Sequence, residues 1–369
     1  KANGIRVLSF CSGVIKSLTS LYDTLKLYLG GILTPKVPQY MEKANIALIK
    51  EFVGLDYVHR GDYADQVLNI DKNEIKTGDF VAIMRLDGLD ELIMMGTGTS
   101  IGHTAVACWI DGELYVIESQ DAWYWKSKKG IQRNKFDDWI KFAHDADFHV
   151  VIIPLKEEYR QKLDEDAARN WFYSKEGLDY GFRNFLFSWL DTKKNLPHQV
   201  DFEILLPVLS IFDGVAHSLF HTILGEALNL RVGTTDLGLQ ETLVLAANKG
   251  LSFEDLLEIP EMEGWKYSNG ENYVCSCFCA GFYKAGGLFG DMEIQPQEFT
   301  PKDVYQLAFF DKDYNKPQLC KDADPDTPFC QIMGKYRVLF RDVGKFEPYN
   351  KMNERCESQA PEFIRNEGC

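Results

Sequence analysis

The sequence predicts an α+β fold, in which a small antiparallel sheet has helices before, within and after it. Apolar residues recur at helical spacing through most of the first 70 residues, and short apolar runs separated by turn residues begin after Gly78. Two of these runs are joined by Asp111-Gly112, which is the strongest short signal for a β-hairpin. A switch from a helical period to short strands indicates helices and strands in separate segments rather than strict alternation.

The individual elements follow from these local patterns. Pro35 and Pro38 separate the two N-terminal helices, and Gly286-Gly287 ends the last predicted helix. The predicted strands are Phe80–Met84, Thr104–Ile110, Glu113–Ser119, Phe148–Pro154 and Lys335–Phe340. The predicted helices are Ile5–Leu29, Tyr40–Val53, residues 156–176, most of residues 177–260, and Cys275–Ala285.

Composition excludes several classes of protein. The 369 residues are 45% hydrophobic, so most of the chain is expected to fold. A net charge of −15 argues against a nucleic-acid partner, which needs clustered Lys and Arg. The most apolar segment, Ile204–Leu230, contains charged residues and Pro207, so we expect no transmembrane span and at most a peripheral membrane contact. No presequence is visible, as expected if a signal peptide has been removed.

Four of the nine cysteines lie in a turn-rich tail with few apolar residues. Such a tail cannot be held by burial alone, so these cysteines are expected to form structural disulfides. The sequence leaves three connectivities open and favours the local pairs Cys320–Cys330 and Cys356–Cys369. Disulfides predict a secreted, extracellular, lysosomal or vacuolar location.

The hairpin places polar side chains on one face of the sheet. If Asp111-Gly112 is a two-residue turn, Ala105 lies opposite Glu118 and His103 lies opposite Gln120. His103 and Glu118 are then diagonal neighbours, about 7–8 Å apart at the backbone. The carboxylate of Glu118 can accept the imidazole N–H and favour the charged ring, with Gln120 as an alternative orienting residue.

Cys275 is the candidate nucleophile. It begins a predicted helix, where backbone N–H groups and the helix dipole stabilise a thiolate. A histidine held by a carboxylate and facing such a cysteine is the general arrangement of thiol catalysis. The backbone N–H of Cys275 or Ser276 is a candidate oxyanion donor.

The order of these motifs resembles a known family. Gly78-Asp79-Phe80, Gly102-His103-Thr104, Ile117-Glu118-Ser119 and Tyr273-Val274-Cys275-Ser276 follow one another as in the circularly permuted papain-like fold of the NlpC-type superfamily, which includes YiiX-like and lecithin:retinol acyltransferase-like proteins. The resemblance implies that Cys275 is the nucleophile, His103 the base and Glu118 the orienting residue. It also places the Gly177–Tyr180 segment beside the pocket, and the further pocket candidates are Tyr180, Gly102 and Trp123.

Other motifs are weaker. The glycine-rich run Gly96–Gly102 lacks the spacing of a nucleotide-binding loop, and we interpret it as a flexible approach to His103. The acidic loop from Asp322 to Asp326 lacks the turn glycine of a calcium loop and is expected to be solvated. Cys275, Cys277 and Cys279 are too closely spaced for zinc. We therefore expect no cofactor and no metal.

These inferences give a domain division and a function. We expect a helical extension at 1–75, a permuted papain-like domain at 76–310 with a helical insertion at about 190–260, and a disulfide-stapled tail at 311–369. The expected function is a thiol hydrolase that cleaves an amide or ester bond of a peptide, isopeptide or acyl substrate. The alternatives are a lipid acyltransferase or phospholipase-like enzyme, and a catalytically silent structural or binding protein that retains the fold. The sequence does not indicate the oligomeric state.

Overall fold

The computed structural model of the chain describes residues 34–120, 130–181, 225–252, 272–292 and 294–348, with residues 255 and 256 and five single positions between 16 and 27. Its centre is a six-stranded sheet in which every pairing is antiparallel and the strand order is β4-β3-β2-β1-β5-β6. The predicted α+β class is confirmed. The strands are β1 (Phe80–Met84), β2 (His103–Ile110), β3 (Glu113–Gln120), β4 (Gly130–Lys135), β5 (His149–Ile153) and β6 (Cys330–Met333).

Helices cover both faces of this sheet. The alternation of β1 sends Phe80 toward one apolar core and Val81 toward the other. The helices are α1 (Gln39–Phe52), α2 (Leu89–Thr97), α3 (Phe136–Asp145), α4 (Glu157–Arg160), α5 (Glu165–Lys175), α6 (Glu226–Val232), α7 (Leu239–Asn248), α8 (Cys275–Ala285), α9 (Pro301–Gln306) and α10 (Gln318–Ala323). Within the described ranges no helix is both long enough and apolar enough to cross a membrane. The segment Ile204–Leu230 lies largely outside those ranges.

Helix α8 is the central helix of the fold. It begins and ends where the sequence predicts, and its residues from Cys275 to Tyr283 are all buried. A helix that is apolar on every side is expected at the centre of a domain. Phe278 and Phe282 pack in the same core as Phe80 of β1 and Phe172 of α5. Because α8 is buried on all sides, its first residue, Cys275, lies in the interior beside the sheet.

The hairpin between β2 and β3 has the predicted turn and register. Asp111 and Gly112 have φ values of 50° and 78°, which a two-residue turn of this kind requires. The paired residues run from Ile110↔Glu113 to Val106↔Ile117. Because side chains alternate along a strand, this register places Glu118 and His103 on the face predicted for them.

Two predictions about strands were wrong. The predicted strand Lys335–Phe340 does not form, and the C-terminal strand is β6, which ends just before the turn at Gly334. Within the predicted range Tyr336 makes an isolated bridge, to His59. Strand β4 was not predicted because its sequence, GIQRNK, has no apolar alternation. It is held by backbone pairing to β3 instead.

The glycine-rich run was also misinterpreted. Gly98 ends α2 in the left-handed conformation, with φ of 70°, and Thr99 to Gly102 are buried rather than flexible. Tyr305 receives a hydrogen bond from the Ser100 N–H, at 3.2 Å. The second half of the run, residues 99–102, therefore belongs to the core beneath β2, whereas Gly96 at its start is exposed.

The N-terminal extension and the tail hold each other at the β6 edge of the sheet. Backbone bonds join Leu68 N to Ile332 O and Arg60 N to Lys335 O, each at 2.8 Å. Arg60 is buried and donates from Nε to Oδ2 of Asp324 at 2.7 Å, while Arg337 Nε donates to Oδ1 at 2.7 Å. The expectation of a solvated loop is thus wrong for Asp324, which is buried, and correct for Asp322 and Asp326, which are exposed.

The tail disulfide Cys320–Cys330 is present, which confirms that predicted pair. Cys356 and Cys369 lie outside the described residues. Cys108, Cys275, Cys277 and Cys279 are free and buried. The bond closes the loop that carries Asp324, so it restrains the segment against which Arg60 packs.

A buried histidine in β5 predicts a loss of stability in acid. Burial lowers the pKa of His149 to about 3, and its ring stacks on Tyr336 at 5.9 Å. As the pH falls below about 6.5, the imidazole of His149 takes up a proton in the unfolded chain but stays neutral in the folded protein. The stability that the neutral ring contributes above pH 6.5 is therefore lost as the pH falls toward 3. We expect the free energy of unfolding to fall by about 1.4 kcal/mol per pH unit in this window.

Urea unfolding across this acidic range measures the slope. In His149→Gln the slope should decrease by that amount, whereas substitution of the exposed His144 in α3 should leave it unchanged. An equal slope in wild type and His149→Gln would contradict the assignment.

Candidate active site

The candidate site lies where the start of β2, the end of β3 and the start of α8 meet. His103 is the first residue of β2 and Glu118 lies near the end of β3. Cys275 is the first residue of α8, after Val274 in an extended conformation. Three distant stretches of the chain thus bring a thiol, an imidazole and a carboxylate together.

Glu118 holds the imidazole ring in one orientation. His103 Nε2 donates to Glu118 Oε2 at 2.9 Å, because a carboxylate oxygen can only accept. The other oxygen, Oε1, accepts from Trp139 Nε1 at 2.8 Å. Both carboxylate oxygens are therefore fixed, and Nδ1 is the ring nitrogen left for the thiol.

The thiol and the imidazole change each other's protonation. Burial lowers the pKa of His103, but hydrogen bonds to Cys275 and Glu118 and their negative charges raise it to about 10. Burial raises the pKa of Cys275, and the hydrogen bond and positive charge of His103 outweigh this, so that its pKa lies below the usual 9.0. Hydrogen bonds from Thr104 act in the same direction. The arrangement favours a thiolate beside an imidazolium.

Tyr180 completes the surroundings of the sulfur. Its position is set by the bridge between Tyr180 and Tyr273, and by Gly181, whose N–H donates to Tyr273 O at 3.0 Å. A Cβ on Gly181 would lie 2.7 Å from the Val274 nitrogen, so this close approach requires glycine. Burial and then the charge of Cys275 raise the pKa of Tyr180, so its hydroxyl stays protonated and can donate to a thiolate.

Access to the sulfur is narrow. Cys275 is only 1% exposed and Glu118 is fully buried, whereas the His103 side chain keeps 11% of its surface exposed. Of the thiol, the imidazole and the carboxylate, the imidazole is thus the most exposed.

A second group of acids lies behind His103. A Cβ on Gly102 would lie 2.0 Å from Cγ of Asp90, so this glycine allows the carboxyl to pack under the start of β2. Burial raises the pKa of Asp90 well above its usual range, and the charge of Asp87 adds to this. Gly102, predicted as a pocket residue, therefore serves to pack Asp90.

The remaining predicted site residues have different positions. Within the described chain Gln120 makes no hydrogen bond to His103, so Glu118 alone orients the ring. Ser276 is fully buried in the first turn of α8. Trp123 lies outside the described residues. In the described part of the chain no group of three or more His, Cys, Asp or Glu residues could hold a metal ion.

Sequence reasoning missed three contributors to the site. The role of Trp139 in α3, whose indole N–H fixes Glu118, was not predicted. Thr104 and Asp90 were not singled out. Thr104 could have been found from the pattern, since it follows His103 and points to the opposite face, toward α8. Nothing local marks Trp139 or Asp90, because their roles depend on contacts between elements.

Comparison with known proteins gives little similarity. No family model matches the sequence, and no curated protein matches it. Among solved structures, the chain has weak similarity to the crystal structure of the metalloprotein yiiX from Escherichia coli O157:H7 (DUF1105), with 18% sequence identity and a TM-score of 0.22 over 39% of this chain and 67% of that chain. Membership of the permuted papain-like family stays a prediction from the sequence motifs.

Proposed function

We propose that the protein is a thiol hydrolase in which Cys275 attacks the carbonyl carbon of an amide or ester. The observation that carries this proposal is the chain of contacts from Cys275 through His103 to Glu118. A thiolate stabilised by an imidazolium, itself held by a carboxylate, is the arrangement that thiol nucleophiles need. Its place at the first residue of a buried helix supports the same role.

The chemistry follows from these positions. The Cys275 sulfur forms a bond to the carbonyl carbon while the imidazolium of His103 gives its proton to the leaving amine or alcohol, and the bond from carbon to that group breaks. Water then adds to the thioester as His103 removes its proton. The carbon–sulfur bond breaks, a carboxylic acid leaves, and the thiolate is restored. The backbone N–H of Ser276, in the first turn of α8, is the candidate donor to the oxyanion.

The proposed location is an oxidising compartment, namely the extracellular space or the lumen of the secretory, lysosomal or vacuolar system. The Cys320–Cys330 disulfide supports this, because such bonds persist where thiols are not kept reduced.

Alkylation by iodoacetamide near neutral pH tests the proposal, with mass spectrometry locating the modified cysteine. We expect Cys275 to react at least about tenfold faster than Cys108, because burial raises the pKa of Cys108 to about 12 while that of Cys275 is lowered. The difference should disappear in His103→Ala. A screen of acyl amides and esters then identifies the bond that is cleaved.

The alternative of a catalytically silent protein is favoured by one observation, the burial of Cys275. If no reagent reaches the sulfur, Cys275 will react no faster than Cys108 or Cys279, and this result would overturn the hydrolase proposal. Lipid acyl transfer predicts instead that acylation of Cys275 requires lipid vesicles.

A further inference from the structure

Gln120 differs from the other buried amides of the sheet. It is the last residue of β3, it is only 2% exposed, and in the described chain neither Oε1 nor Nε2 has a hydrogen-bond partner. Its neighbours on the same face are engaged, because Asn134 Nδ2 donates to Gln132 Oε1 at 3.2 Å and Gln132 Nε2 donates to Gln120 O at 3.5 Å. Only Gln120 has an unused carboxamide among these three residues.

An unused buried amide costs stability, and native proteins contain few of them. Such a group is explained by a ligand that supplies the missing partners. Gln120 lies two residues after Glu118 on the same face of β3, a distance of about 7 Å along the strand. The hairpin register, carried on from Val106↔Ile117, sets Gln120 opposite His103, so the unpartnered carboxamide belongs to the end of β3 that carries the site.

The chemistry of a carboxamide identifies the ligand. It offers two N–H donors and one carbonyl acceptor, so it can pair at the same time with the C=O and the N–H of a secondary amide. An ester has no donor and would leave Oε1 of Gln120 unpartnered. We propose that Gln120 binds the peptide unit next to the carbonyl attacked by Cys275, and that the substrate is therefore a peptide or isopeptide rather than a lipid ester. This inference rests on the proposed function and narrows its substrate class.

Two matched alkylating reagents test the inference: iodoacetyl-glycine N-methylamide and iodoacetyl-glycine methyl ester. They carry the same reactive group and differ only in the N–H or the O of the second unit. In the wild-type protein we expect the amide to alkylate Cys275 about fivefold faster than the ester, which is the effect of one net hydrogen bond. In Gln120→Leu the two rates should become equal, because the leucine side chain offers no acceptor to the second N–H.

The control is Gln132→Leu, which removes a buried amide from the adjacent strand and should keep the fivefold preference. Thermal unfolding gives a second readout. Gln120→Leu should raise the midpoint of unfolding, because it removes an unpaired polar group, whereas a merely structural glutamine would lower it. If Gln120→Leu does not fold, the structural role is the correct one and the inference fails.

The outcomes separate this inference from the proposed function. Alkylation of Cys275 at equal rates by both reagents in the wild type overturns the role of Gln120 and leaves the thiol hydrolase standing. Absence of alkylation at Cys275 by either reagent overturns the thiol hydrolase, and the substrate assignment with it.

Discussion

Replacing Glu118 by Gln is expected to slow the alkylation of Cys275 near neutral pH by about a hundredfold. The substitution keeps the shape of the side chain and an acceptor for Trp139, but removes the negative charge that helps to raise the pKa of His103 to about 10. A less basic imidazole stabilises the thiolate less, so the pKa of Cys275 moves back toward 9.0.

The pH profile gives the sign of the effect. In the wild type, acyl transfer should begin as the pH rises through the lowered pKa of Cys275 and should decline above about pH 10, where His103 loses its proton. In Glu118→Gln the pKa of Cys275 should rise and the pKa of His103 should fall. The pH range between them, in which the protein is active, should therefore become narrower. Rates of alkylation and of acyl transfer measured from acid to alkaline pH define the two limits.

Glu113→Gln is the matched control. Glu113 lies at the other end of β3, its side chain is 43% exposed, and it pairs with Lys135 at 3.0 Å. Its substitution should leave the profile of Cys275 unchanged. An unchanged profile in Glu118→Gln as well would show that the carboxylate does not act on the thiol through His103.

Replacing Asp324 by Ala should have the largest effect on stability, a loss of about 3–5 kcal/mol in the free energy of unfolding. The Asp324 carboxylate is 2% exposed and accepts from Arg60 and Arg337, and the Arg60 side chain is fully buried. Removing the carboxylate leaves the guanidinium of Arg60 in the interior without a counter-charge, which is more costly than losing a surface ion pair.

Urea unfolding followed by circular dichroism measures this loss. Asp326→Ala is the control, because Asp326 is 80% exposed and only approaches Arg337 at 3.5 Å, so we expect a change within about 0.5 kcal/mol. Similar losses of unfolding free energy in the two variants would mean that burial of the Arg60–Asp324 ion pair does not determine how much the pair stabilises the protein.

Local signals in the sequence predicted the parts of the site that depend on short stretches of chain. The Asp111-Gly112 turn determined the register of β2 and β3, and the register brought His103 and Glu118 to one face. The apolar run that starts at Cys275 predicted the helix that carries the thiol. These features are encoded within about ten residues each, so they could be read without knowledge of the rest of the fold.

Features that depend on distant contacts could not be predicted in this way. Strand β4 is polar and exists because β3 offers a backbone edge, and Asp324 is buried because Arg60, far away in the sequence, reaches it. The part of Trp139 in the site depends on how α3 packs on the sheet, a contact that no periodicity specifies. The sequence therefore predicted the strands and the helix that carry His103, Glu118 and Cys275. The contacts that orient these side chains are known only from the structure.

The position of β6 has a consequence for synthesis of the chain on the ribosome. Strand β5 is complete at Ile153, but its outer neighbour begins only at Cys330. At the usual rate of translation, β6 is synthesised about 10–30 s after β5. During this time the backbone groups at the edge of β5 are free to pair with other nascent chains. Until then the growing polypeptide depends on chaperones or on early folding of its first half to avoid aggregation.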